Sequence, residues 1–198
     1  MAAGKLIFKY GCMGSGKSLQ LLATAHNFQE HGIPFLIFKS DIDTRDGEQV
    51  VKSRDGKNRE CVSVSVSDNL YDIVGNLVAC CDENLQWILV DEAQFLTSEQ
   101  VDQLALIADS FGINVMRHGL RTDFQTHLFE GSKRLFEVAD KIEEIKSSCY
   151  CGRKTVYNAR IGSDGQVITD GQQIEVGGDE MYTALCRHCF RQRTVNDF

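Results

Sequence analysis

Eight consecutive residues near the N-terminus have the types and spacing needed to bind phosphate. The sequence from Gly11 to Ser18 matches the pattern G-x-x-x-x-G-K-[ST] at every fixed position. In this pattern glycines let backbone N–H groups approach phosphate oxygens, the lysine adds a cation, and the final hydroxyl can ligate Mg²⁺. We therefore predict a nucleoside triphosphate site, with Mg²⁺ at Ser18. Its predicted residues are Gly11, Cys12, Met13, Gly14, Ser15, Gly16, Lys17 and Ser18.

Two carboxylates follow a later apolar run. Asp91 and Glu92 come directly after residues 86–90, which read Gln-Trp-Ile-Leu-Val. In a protein with a phosphate-binding loop, an acidic residue after a buried strand is the expected partner of Mg²⁺. We expect Asp91 to reach the metal, usually through a water, and Glu92 to be available as a general base. An Asp-Glu pair alone would be an ordinary solvated turn, so the prediction depends on the strand and the loop together.

Four of the eight cysteines form two close pairs near the C-terminus. Two such pairs on tight turns, separated by a β segment, are typical of a tetrahedral Cys₄ zinc site. The predicted ligands of a structural Zn²⁺ are Cys149, Cys151, Cys186 and Cys189. A lobe this small buries little apolar surface, so its folding would depend on the metal. Buried free thiols or disulfides are the alternatives.

The elements that must position these residues alternate along the first three quarters of the chain. Apolar runs typical of strands occur at 5–10, 34–39, 61–66, 86–90, 114–119 and 141–146. Amphipathic segments typical of helices occur at 18–30, 69–81, 98–111 and 131–139. The alternation predicts an α/β fold of the P-loop NTPase type, with a doubly wound, mostly parallel sheet. We place this domain at residues 1–148 and a small zinc-binding β lobe at residues 149–198, in which the loop between the two cysteine pairs would cover the substrate.

Residues 40–60 interrupt the alternation. They are charged, contain glycines and show no periodicity, which predicts a mobile loop. A loop of this length inside a compact domain suggests a function, with solvated disorder as the alternative.

Composition limits the partners of the chain. It has 198 residues, 42% hydrophobic and 25% charged, which is typical of a soluble globular protein. A formal net charge of −7 disfavours nucleic-acid binding, which depends on Lys and Arg at the phosphates. No apolar run is long enough to cross a bilayer, and the N-terminus lacks the apolar core of a secretory signal. We therefore expect a cytoplasmic protein that binds neither nucleic acid nor membrane.

Taken together, the motifs resemble those of the type II thymidine kinases. The matching segments are 11–18, Asp91-Glu-Ala-Gln-Phe95, Gly119-Leu-Arg-Thr-Asp-Phe124, Cys151-Gly-Arg-Lys154 and Gly177-Gly-Asp-Glu-Met-Tyr182. The resemblance implies transfer of the ATP γ-phosphoryl group to the 5′-hydroxyl of thymidine, and also of deoxyuridine, in pyrimidine salvage. It further implies feedback inhibition by thymidine triphosphate and a homotetramer.

The resemblance also implies roles for individual residues. Glu92 takes the 5′-hydroxyl proton, Asp91 and Ser18 serve Mg²⁺, and Lys17 neutralises developing charge. Gln94 joins the ATP-binding residues. The implied nucleoside contacts are Met13, Asp43, Arg45, Phe95, Leu120, Phe124, Phe129, Asn158 and Tyr182. The chain departs from many relatives in two places: its first cysteine pair is spaced C-x-C instead of C-x-x-C, and Arg121 replaces an Asp, which leaves Arg121 without an assigned role.

Two other classes of protein share the motifs. A P-loop ATPase with a zinc ribbon that acts on nucleic acid would use Glu92 to activate water, but the acidic charge and the lack of an aromatic and basic stripe disfavour it. A nucleotide-binding regulatory protein would keep the phosphate loop and need no base after Asp91.

Overall fold

The computed structural model describes residues 2–44, 47, 49–80, 84–173 and 182–192. The strands are β1 (Leu6–Tyr10), β2 (Phe35–Ser40), β3 (Val50–Lys52), β4 (Asn58–Glu60), β5 (Val62–Val64), β6 (Trp87–Asp91), β7 (Asn114–Gly119), β8 (Lys141–Glu144), β9 (Tyr157–Ile161), β10 (Val167–Ile168) and β11 (Tyr182–Leu185). The helices are α1 (Lys17–Glu30), α2 (Leu70–Cys80), α3 (Ser98–Phe111), α4 (Glu130–Val138) and α5 (Arg187–Gln192), with a 3₁₀ turn at Ala93–Phe95.

A six-stranded sheet organises the first part of the chain. Its strand order is β5-β2-β6-β7-β1-β8, and each neighbouring pair is parallel. Strands β6, β7 and β1 lie side by side, with Tyr10 opposite Gly119 and Val90 opposite Arg117. The carboxyl ends of parallel strands share one edge of a sheet, so the segments that follow these three strands start next to one another.

Helices cover both faces of this sheet. On one face, Leu21 and Phe28 of α1 share an apolar cluster with Leu89 and Met116. On the other face, α2, α3 and α4 contribute Leu70, Leu104 and Leu135 to the cluster that contains Phe8 of β1. The predicted doubly wound α/β fold is confirmed. No helix among the described residues has the length and apolar character needed to cross a bilayer.

The prediction of an unstructured loop over residues 40–60 was wrong for its second half. Strands β3 and β4 form an antiparallel hairpin around the sequence Ser53-Arg-Asp-Gly56. Gly56 has a φ of +89°, and its N–H bonds the Ser53 carbonyl at 2.9 Å. Val51, on the hairpin, is fully buried in the cluster that contains α1. Burial of this apolar side chain and the glycine turn stabilise the hairpin. The sequence pattern does not predict it, because most of the neighbouring residues are charged.

The C-terminal part of the chain forms a separate three-stranded antiparallel sheet, ordered β10-β9-β11. Its buried cluster is small and rich in sulfur: Cys149, Ala159, Val167, Leu185, Cys186 and Cys189. We call residues 149–192 the cysteine lobe. The change from the parallel to the antiparallel sheet falls between β8 and β9; the domain boundary at residue 148 stays a prediction.

Arg117 is a buried cation in the middle of the parallel sheet. Its side chain is 0% exposed, and none of its guanidinium nitrogens has a hydrogen-bond partner among the described residues. It lies on β7 opposite Phe8 and Val90, both of which are fully buried. Burial lowers the pKa of Arg117 to about 9, although the charge of Asp140 opposes the shift. The desolvation of this charge is therefore not offset by hydrogen bonds.

We predict that Arg117→Met stabilises the protein, because methionine fills much of the same space without a buried charge. Replacing buried charges by apolar side chains stabilises by about 1–4 kcal/mol, which corresponds to a rise in Tm of roughly 2–16 °C here. The control is Arg134→Met, which removes a half-buried arginine that pairs with Asp102 and Glu137 and should lower Tm by at most about 4 °C. A lower Tm for Arg117→Met in thermal melts would contradict this account.

Candidate active site

The predicted phosphate-binding loop joins β1 to α1. Gly14 and Gly16 have φ values of +73° and +84°, in the left-handed region that glycine adopts without strain. Both glycines are exposed, and Gly16 precedes the first residue of α1 without a side-chain cap, so the first N–H groups of the helix point into the loop. Such a loop at a helix N-terminus binds anions, phosphate above all.

The side chain of Lys17 folds toward this loop, so that its ammonium contacts the Cys12 carbonyl. Its side chain is buried, and Nζ donates to the carbonyl of Cys12 at 3.0 Å. The N–H of Ser15 donates to the same carbonyl at 3.2 Å. The position of the Cys12 carbonyl therefore helps to set where the lysine ammonium lies relative to the glycine loop.

Asp91 ends β6 beside the loop. It is 3% exposed, and its Oδ1 has no hydrogen-bond partner among the described residues. Burial, followed by the charge of Glu92, raises the pKa of Asp91 to about 7, while a hydrogen bond from the Ser18 hydroxyl acts in the opposite direction. A buried carboxylate oxygen without a partner, next to a hydroxyl, fits a divalent cation with oxygen ligands.

Glu92 occupies a strained position directly after β6. Its φ of +49° is unusual for a residue with a side chain and costs on the order of 1 kcal/mol. The Nε2 group of Gln94 donates to its Oε2 at 2.5 Å. Gln94, only 2% exposed, also accepts the Leu120 N–H with Oε1 at 2.9 Å. Gln94 is predicted to bind ATP; in the structure its amide connects Glu92 to the residue after β7.

Gly119 makes room for this connection. A Cβ atom on Gly119 would lie 3.0 Å from Oε1 of Gln94 and 3.1 Å from its backbone nitrogen. These separations are tighter than ordinary van der Waals contact. The glycine before Leu120 is therefore needed for the close approach of the 3₁₀ turn to β7.

The residues implied as nucleoside contacts lie at several places around the end of the sheet. Phe124 and Phe129 are buried, and the Phe129 ring contacts that of Phe95 edge to face, with centroids 5.8 Å apart. The guanidinium carbon of Arg160 lies 5.5 Å from the Phe124 ring centroid. The remaining half-buried members of the set are Met13, Leu120 and Tyr182.

Asp43 and Asn158 are polar members of the same set and are both buried. Asp43 pairs with buried Lys39, at 3.5 Å between Oδ2 and Nζ. Asn158 accepts the Met13 N–H at 2.7 Å and donates to the Thr122 carbonyl at 3.1 Å. Arg45 lies outside the described residues.

Arg54, which the sequence patterns did not single out, also lies beside the phosphate-binding loop, next to Gly14. A Cβ atom on Gly14 would lie 3.1 Å from Nη1 of Arg54, in the turn of the β3–β4 hairpin. The only signal in the sequence is an arginine in a Ser-Arg-Asp-Gly turn. Its importance depends on the hairpin bringing it to the loop.

The four predicted metal ligands come together in the cysteine lobe. Their sulfur atoms all lie within 4.8 Å of one another, and the Sγ atoms of Cys151 and Cys186 are 3.6 Å apart. The backbone N–H of Cys189 is 3.5 Å from Sγ of Cys186 and lowers the pKa of that thiol to about 6. Four cysteine sulfurs this close together can hold one metal ion, despite the C-x-C spacing of the first pair.

The fold and the site together define a P-loop α/β protein with a carboxylate pair beside its phosphate loop and an added four-cysteine lobe. A family model described as thymidine kinase matches residues 4–190. The chain belongs to the thymidine kinase family.

Relatives that carry this name align over most of their length. The thymidine kinase of Rhodopirellula baltica is 46% identical over 95% of this chain and 88% of its own. Those of Shouchella clausii and Zymomonas mobilis are 45% and 44% identical, over 93% and 96% of this chain and 95% and 97% of their own. Among solved structures, the genome packaging NTPase B204 of Sulfolobus turreted icosahedral virus 2 aligns over 77% of this chain and 79% of its own, with 15% identity and a TM-score of 0.43. That likeness is too remote to bear on function.

Proposed function

We propose that this member of the family transfers the γ-phosphoryl group of ATP to the 5′-hydroxyl of thymidine, and also of deoxyuridine. The observation that supports the proposal most strongly is the placement of Glu92. Glu92 directly follows Asp91 at the end of β6, and Gln94 connects its carboxylate to the N–H of Leu120, the residue after β7. A base in that position can accept a proton from an acceptor hydroxyl while the phosphates occupy the loop.

In this mechanism the N–H groups of residues 14–18 and the ammonium of Lys17 bind the phosphates. Mg²⁺, held by Ser18 and Asp91, would offset phosphate charge when bound with ATP. The 5′-oxygen forms a bond to the γ-phosphorus as the bond to the ADP oxygen breaks, and the hydroxyl proton goes to Glu92. Arg54, next to Gly14, adds a second cation on the loop.

The nucleoside would lie among the aromatic residues at the end of the sheet. Phe124 and Phe129 provide buried apolar surface. Leu120 is connected through Gln94 to Glu92, the proposed general base. Met13, Asp43, Phe95, Asn158 and Tyr182 complete the proposed set, with Arg45 from the sequence. Family membership favours this acceptor over the nucleic-acid ATPase. Feedback inhibition by thymidine triphosphate, the homotetramer and the cytoplasmic location stay predictions.

The direct test follows the γ-phosphate of labelled Mg·ATP with and without thymidine. We expect label to accumulate in thymidine monophosphate, and more slowly in deoxyuridine monophosphate when that nucleoside is supplied. A panel with deoxycytidine and adenosine defines the base preference. Release of phosphate to water regardless of nucleoside, with stimulation by DNA, would refute the kinase and support the ATPase.

Gln94→Glu should slow phosphoryl transfer, because it places a second carboxylate against Glu92 in place of an amide donor. We expect kcat to fall by roughly tenfold or more, the scale of losing a hydrogen bond to a charged group. The KM for ATP should change little. The matched control is Gln103→Glu: Gln103 also accepts a backbone N–H, that of Leu70, and donates to a glutamate, Glu99, but far from the site. Equal effects of the two variants on kcat would argue against a positioning role for Gln94.

We also propose that the cysteine lobe binds Zn²⁺. Sulfur atoms in a tetrahedral zinc–thiolate site lie about 3.8 Å apart, given bonds of about 2.3 Å, close to the 3.6 Å between Cys151 and Cys186. Metal analysis should find about one zinc per chain. Cys186→Ser should lose it, whereas Cys80→Ser, at an exposed cysteine outside the cluster, should retain it. Wild-type protein with much less than one equivalent would exclude the assignment.

A further inference from the structure

Asn158 physically connects the cysteine lobe to the phosphate-binding loop. It lies on β9 of the lobe and is 4% exposed. Its Oδ1 accepts the N–H of Met13 at 2.7 Å, and its Nδ2 donates to the carbonyl of Thr122 at 3.1 Å. One partner needs an acceptor and the other a donor, so an amide side chain suits the position. Both ends of this buried amide are used to hold backbone groups of the other sheet's loops.

Two further contacts reinforce the same junction. Burial raises the pKa of the Cys12 thiol, and the hydroxyl of Thr155, which hydrogen-bonds this thiol, opposes the shift. Arg121, which had no role from the sequence, donates from Nη2 to the carbonyl of Val156 at 3.1 Å. Residues 155–158, which lead into β9 and form its start, thus contact two consecutive residues of the phosphate-binding loop, Cys12 and Met13, and the segment after β7.

The junction is also connected to the metal ligands. Strand β9 pairs with β11, and the N–H of Val156 bonds the carbonyl of Leu185 at 2.8 Å, immediately before Cys186. On the other side of the junction, the Cys12 carbonyl bonds both Ser15 and Lys17. Hydrogen bonds between short backbone segments therefore connect the cysteine cluster to Lys17, the lysine that would bind phosphate.

We propose that Asn158 is a positioning residue for ATP, through which the cysteine lobe holds the phosphate-binding loop in its binding conformation. The lobe thereby becomes part of the nucleotide site as well as a neighbour of the nucleoside. Without the amide, the Met13 N–H and the Thr122 carbonyl lose their buried partners, and the loop relaxes away from the shape that ATP needs. The inference rests on the proposed function in taking ATP as the nucleotide, and its second test rests on the proposed zinc.

The test measures binding of a non-hydrolysable ATP analogue with Mg²⁺ by calorimetry, without any nucleoside. Asn158→Leu keeps the size of the side chain and removes both hydrogen bonds; it should raise Kd by about tenfold. The control is Asn114→Leu. Asn114 also accepts a backbone N–H from a neighbouring segment, that of Lys5, but it is the first residue of β7 and lies far from the loop. This substitution should leave Kd within about twofold of wild type.

A second arm tests the connection to the metal. Removing the metal from wild-type protein with a chelator should weaken analogue binding in the same direction, and should change the Kd of Asn158→Leu by less than about twofold, because the two changes act through one path. Asn158→Ser replaces Asn158→Leu if the latter does not fold, with zinc content and circular dichroism as the check. An unchanged analogue Kd in a folded Asn158 variant would overturn the proposal. Since no phosphoryl transfer is measured, failure of the kinase assay would not count against Asn158, nor the reverse.

Discussion

Parallel pairing of β6, β7 and β1 is the constraint on which the site depends. The phosphate-binding loop leaves β1 after Tyr10, the carboxylate pair ends β6, and Leu120 follows β7. Because the three strands are adjacent and run in the same direction, these segments must start at the same edge of the sheet. Residues about eighty positions apart in the sequence are thus brought together by backbone pairing.

Burial at this edge gives the polar groups their properties. Asp91 has lost most of its contact with water, which raises its pKa to about 7, and one of its oxygens has no hydrogen-bond partner in the described part of the chain. Glu92 sits in the left-handed region, and the contact from Gln94 helps to hold it there. Strain and a buried oxygen that no described residue satisfies are unfavourable for folding, but both suit the proposed site, which would receive a metal and a proton.

Sequence patterns could predict the phosphate-binding loop, the carboxylate pair, the cysteine cluster and the parallel sheet, because each depends on local chemistry. Closely spaced glycines, apolar runs and paired cysteines can each be recognised within one short stretch of sequence. The interaction of Gln94 with Leu120 spans 26 residues and that of Asn158 with Met13 spans 145. In both, a side-chain amide meets a backbone N–H, and a backbone group leaves no signature in the sequence. The β3–β4 hairpin was missed for a related reason: its one buried apolar residue, Val51, lies among charged neighbours.

In the proposed mechanism, Glu92 accepts the proton of the acceptor hydroxyl during phosphoryl transfer. The most direct measurement compares wild type with Glu92→Gln, which keeps the shape of the side chain and removes its basicity. Nucleotide affinity should remain close to that of wild type, and turnover with thymidine should fall by about a hundredfold or more. Unchanged turnover in a variant that binds ATP normally would contradict the account.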